Sequence, residues 1–137
     1  MKRVAAVLAL TPLAAPAVAQ VADPEIDALT KKYVQLFNKG DAATLASEVY
    51  ANGDQAALDA KFKELRADSF GKLDVYGFKA CPVAGDTAKV EMRYAQLFTF
   101  GGKMNDDEAK LFDLVKTPTG WRIKGETDTK FDQPLAC

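Results

Sequence analysis

Tyr94, Gln96 and Trp121 are the side chains best suited to meet a small molecule: a phenol, an amide and an indole N–H on stretches that otherwise read as apolar strand. An amide on an apolar face must find hydrogen bonds or cost a few kcal/mol. Backbone or water could satisfy Gln96 instead, which would make all three residues core. Asp113 interrupts Leu111 to Val115, where a buried carboxylate could become a general base. The expected strand register instead sets it opposite Lys124 and diagonal to Arg93, in an ionic cluster. Asp106, Asp107 and Glu108 are consecutive acids without the spaced ligands of a calcium loop. The chain has 0 His, which removes Ser-His and Cys-His nucleophile pairs and His-containing zinc sites. The expectation is no catalytic set, no metal site and no cofactor.

Of the 2 cysteines, Cys81 sits on a strand and Cys137 near the C-terminal end. An internal bridge tying the tail to the sheet is expected, with free thiols or an intermolecular bridge as alternatives. That reading rests on export. Met1-Lys2-Arg3 is a basic start, Val4 to Leu10 is apolar, and Ala17-Val18-Ala19 matches a signal-peptidase site before Gln20. Residues 1–19 therefore read as a secretory signal and 20–137 as one domain, periplasmic or secreted, with no membrane anchor after cleavage. Removing two basic residues from the 18 leaves 16 against 19 acids, a net charge of about −3. No basic stripe stands out, so nucleic acid is not expected as a partner.

The elements that would position these residues begin with helices. Asp23-Pro24 caps a first helix whose Ile26, Leu29, Tyr33, Leu36 and Phe37 share one face, and Gly40 ends it. Asp41 and Asp54 cap two more, separated by Asn52-Gly53. Strands follow from Leu73 to Glu126. Gly85-Asp86 predicts a type II′ hairpin pairing Cys81 with Val90, Lys79 with Met92, Gly77 with Tyr94, Val75 with Gln96 and Leu73 with Phe98. A long loop, Gly101 to Asp107, would then place Gln96 opposite Phe112 and Tyr94 opposite Leu114. The Thr117-Pro118-Thr119-Gly120 turn pairs Trp121 with Lys116 and Ile123 with Leu114. The fold class is α+β: N-terminal helices packed on a curved antiparallel β-sheet, forming a cone-shaped domain.

The runs YVQLFNKGDAATLASEVY (33–50), GDTAKVEMRY (85–94) and TPTGWRIKGE (117–126) resemble the nuclear transport factor 2-like superfamily, near its SnoaL-like branch. The resemblance implies a conical pocket and a homodimer through the sheet. It also implies a choice between isomerase or dehydratase chemistry and non-catalytic binding. The predicted inner face holds Tyr94 and Gln96 but no acid, although Glu48 or Asp59 could reach in from the helices. The expected function is thus an exported, non-catalytic domain binding a small apolar or amphipathic ligand or a protein partner. The alternatives are a cofactor-independent enzyme and an accessory protein without ligand.

Overall fold

The computed structural model describes residues 21–137. The expected signal, Met1 to Ala19, and its cleavage position lie outside the described residues. Among the described residues no helix is long and apolar enough to cross a membrane.

Helix α1 (Pro24–Lys39) starts where the Asp23 carboxylate accepts from the N–H groups of Glu25 at 2.8 Å and Ile26 at 3.2 Å. It ends at Gly40, whose φ of 69° is a left-handed conformation open to glycine without a Cβ penalty. Asp41 caps the single-turn α2 (Ala42–Thr44), which widens into a π-helical turn over Leu45–Val49, and Asp54 caps α3 (Gln55–Ala67). The expected apolar stripe of α1 is buried. Tyr33 meets Phe112 of the sheet edge-on at 4.9 Å between centroids, and Phe37 meets Phe62 of α3 at 5.0 Å. Each such side chain, fully buried, contributes about 1.5–3 kcal/mol.

Strands β1 (Phe70–Ala80), β2 (Thr87–Phe98), β3 (Lys103–Thr117) and β4 (Gly120–Lys130) form an antiparallel meander in chain order. The outer two hairpin turns are as expected. Ala84 bridges to Thr87 around Gly85 (φ 62°), and Lys116 and Leu114 pair with Trp121 and Ile123.

Three registers differ from the expectation. In β1–β2 the pairs are Ala80–Val90, Phe78–Met92, Val75–Tyr94, Leu73–Gln96 and Phe70–Phe98. Pro82 has no N–H to continue the ladder, and a bulge between Val75 and Gly77 slips the strand again, so Phe78 packs on the core and Lys79 is exposed. Between β2 and β3, Gly101 (φ 90°) and Gly102 (φ 81°) reverse the chain at once. The acidic run expected in a loop is therefore strand: Gln96 pairs with Asn105 instead of Phe112, and Tyr94 with Glu108 instead of Leu114. In β4 a shift between Asp113 and Leu114 leaves Lys124 as the extra residue, so Asp113 faces Gly125. From there Glu126 and Asp128 share the face of their partners Phe112 and Lys110.

Residues 131–137 turn back across the opposite face of the sheet. The Phe131 ring stands edge-on to Tyr76 at 5.9 Å and lies 5.1 Å from the Arg93 guanidinium carbon. Arg93 donates to the Gln133 carbonyl at 2.8 Å and to the Glu91 carboxylate at 2.6 Å. Leu135 is buried, and Cys137 sits at disulfide distance from Cys81, S–S 2.19 Å and Cα–Cα 5.6 Å. The expected cluster of Asp113, Lys124 and Arg93 does not form. Arg93 belongs to Glu91, and Asp113 is in no ion pair among the described residues.

Candidate functional site

The inner sheet face divides in two. Under α1 it is apolar, with Val90, Met92, Phe112, Leu114 and Ile123 in the core. Toward the far ends of β3 and β4 it turns polar, with Tyr94, Glu108, Lys110, Glu126 and Asp128 at neighbouring register positions.

Tyr50 reaches this polar end from the helices. The π-helical turn finishes at Tyr50, whose backbone is already extended, and the next N–H, of Ala51, donates to the Ile123 carbonyl at 2.8 Å. Such turns are frequent at functional sites. Gly53 lets the following loop press on the turn: a Cβ there would lie 2.0 Å from the Ala46 carbonyl oxygen. The Tyr50 hydroxyl donates to Glu126 Oε1 at 2.6 Å, and Lys110 Nζ lies 3.6 Å from Oε2. Phe37, Leu58 and Lys61 join Tyr50 and Glu126 around a cleft of about 270 Å³.

Burial, and then the Glu126 charge, raises the Tyr50 hydroxyl far above the ordinary phenol range. Burial, then Asp128, Glu108 and Glu126, raises Tyr94 in the same way. Tyr33, deepest of the three, is raised by burial, then by Glu126. All three keep their protons near neutral pH and act as donors, not bases. Lys61 moves the other way: burial, then the neighbouring Lys110 charge, lowers its amine, opposed in part by Glu126 and Asp128. Lys61 is exposed and lines the cleft beside Glu126.

Of the residues singled out in the sequence, Tyr94 stands within this polar end. Gln96 lies on the same face, where its amide oxygen accepts from Asn105 Nδ2 at 2.5 Å. Trp121 is elsewhere, across from Lys116 at the opposite end of the sheet, with its buried Nε1 unpartnered. It lines a separate cleft of about 280 Å³ with Glu25, Lys32 and Glu48. Glu48 is paired with Lys32 there at 2.5 Å, and Asp59 is exposed, so the acid lining the cleft is Glu126 of β4. Tyr50, Lys61, Lys110 and Glu126 were not singled out. Gly125, inside a strand, was the signal, since an interior glycine marks a bulge and a bulge exchanges faces.

No protein-family model and no curated protein matches the chain. Solved structures do. A nuclear transport factor 2-like protein with a cystatin-like fold from Novosphingobium aromaticivorans superposes with a TM-score of 0.62 at 23% identity, over 80% of this chain and 82% of that one. The chain has the nuclear transport factor 2-like fold. A proposed aromatic ring hydroxylase from the same organism shares this nuclear transport factor 2-like frame at TM-score 0.62 and 17% identity, covering 82% and 90% of the two chains. The intermembrane space region of the chloroplast protein ARC6 matches at 0.56 and 8%, covering 82% and 99%. At these identities the likeness is one of fold.

Proposed function

We propose that the cleft bounded by Tyr50, Lys61 and Glu126 binds a small amphipathic molecule. The observation carrying this reading is the Tyr50–Glu126–Lys110 chain, 2.6 Å and 3.6 Å, open to a cleft whose other wall is Phe37 and Leu58. Convergent polar groups beside apolar wall are what orient a ligand. Tyr94 extends the polar wall inward. Gln96, whose amide N–H donors are free of the Asn105 bond, would join from further along the same face, and Trp121 would serve its own separate cleft. Native mass spectrometry of the oxidised protein tests this. A small-molecule adduct on the wild type that Glu126→Gln lacks supports the cleft, and one retained equally by the variant refutes it.

Cofactor-independent proton transfer is the second reading, favoured by one observation: an acid, Glu126, stands on the cleft wall where the sequence suggested none. Its signature would be Glu126-dependent uptake of solvent deuterium next to the carbonyl of a bound ketone, followed by NMR. We also place the protein outside the cytoplasm, on the Met1 to Ala19 pattern and the disulfide-distance pair. A homodimer through the sheet would have to use the part of the outer face that residues 131–137 leave open.

A further inference from the structure

The outer face of the sheet carries a larger cavity than the inner cleft, about 570 Å³, beside the place where the C-terminal strap is fastened. One wall is the Cys81–Cys137 pair with Pro82 and Ala84. Its floor crosses three strands through Lys89, Asp113 and Lys124: Lys89 and Asp113 are register partners, and Asp113 faces Gly125 next to Lys124. Among the described residues none of these three charges is in an ion pair. That is unusual for adjacent opposite charges on a sheet, which ordinarily pair across strands. It leaves two lysine ammonium groups uncommitted around a partly apolar hollow of ligand size.

We propose that this cavity is a second binding site, for an amphipathic anion: a carboxylate or sulfonate head on an apolar body. Lys89 and Lys124 hold the head. Asp113, half-buried between them, repels an anion from the floor, so the head sits toward the rim. The apolar body lies against the disulfide, Pro82 and Ala84. The site is independent of the inner cleft, which opens on the other side of the sheet. It also depends on the strap, because Cys137 is part of its wall.

Decanoate is a suitable probe, titrated into the oxidised protein by calorimetry. Saturable 1:1 binding is expected, weakened at least tenfold in the double variant Lys89→Met with Lys124→Met, whose exposed positions leave the core untouched. Asp113→Asn should tighten binding about threefold by removing the repulsion. Cys81→Ser with Cys137→Ser should weaken it at least fivefold with the circular dichroism of the fold retained. Lys72→Met, an exposed lysine outside both clefts, should bind decanoate as the wild type does, which separates this site from general attraction to surface charge. No saturable binding, an unchanged affinity in the double lysine variant, or equal affinity for decanol would overturn the proposal.

Discussion

Glu126 gathers more of the site than any other residue: it accepts from Tyr50, neighbours Lys110 and raises the pKa of three tyrosines. Tyr50→Phe removes a hydrogen bond to a charged acceptor, and a loss of about 2 kcal/mol in denaturant unfolding is expected. The tyrosines also set a pH dependence. Their folded-state pKa values lie above the unfolded value near 10, so the folded state holds more protons at alkaline pH. The stability this gives is complete below about pH 10 and falls as pH rises beyond it. Tyr76 is raised too, first by its hydrogen bond to Asp106, so all 4 tyrosines of the chain ionise late. Absorbance at 295 nm should report no more than the exposed Tyr76 until the protein unfolds in alkali, while in guanidinium the phenols titrate near pH 10. A native titration of more than one phenol by pH 10 would contradict the burial assigned to Tyr33, Tyr50 and Tyr94.

Among the elements, the π-helical turn and the bulge at Lys124 in β4 place the site, and the turn rests on Gly53. Gly53→Ala would drive a methyl group into the Ala46 backbone at 2.0 Å. Since backbone cannot rotate away as a side chain can, we expect a loss of about 3 kcal/mol, together with loss of cleft binding as Tyr50 is displaced, read by chemical denaturation and ligand titration. The helices were legible in the sequence because each cap is local: Asp23, Asp41 and Asp54 bond to N–H groups two or three residues on. The two outer hairpin turns were legible for the same reason. The β2–β3 register was not, because Gly101-Gly102 and the acidic run after it read as loop, whereas Lys103, Asn105 and Glu108 pair with β2 and Glu108 also with Lys130 of β4. The bulges at Val75/Gly77 and at Gly125 carried the other error. A single inserted residue sends everything beyond it to the opposite face, and that is how Glu126 comes to lie on the inner face with Phe112.

At the scale of the molecule, the strap decides how much of the outer sheet face is available. Phe131, Leu135 and the Arg93 bond to Gln133 hold it by contacts, and the Cys81–Cys137 bridge holds it covalently. The bridge spans 56 residues of sequence, and on the chain-entropy account a closed loop of that length stabilises the fold by about 4 kcal/mol. Cys137→Ser should therefore lower unfolding stability by about that amount, measured without reductant, and adding reductant to the wild type should reproduce the shift. A change below about 1 kcal/mol would mean that the contacts of Phe131 and Leu135 hold the strap unaided. Amide exchange would show it directly: with the bridge broken, Ala95 and Ala109, now fully buried or nearly so, should keep their protection only if the strap stays down.

The same bridge gives the chain a ring. Everything from Cys81 to Cys137, which includes β2, β3, β4 and the strap, is a closed covalent circuit, with the helices and β1 attached at one point. A protease that cuts at Gly101-Gly102 or at Thr117 to Gly120 would open the circuit without releasing a fragment. The nicked protein would keep its mass on a non-reducing gel and fall into two pieces only on reduction.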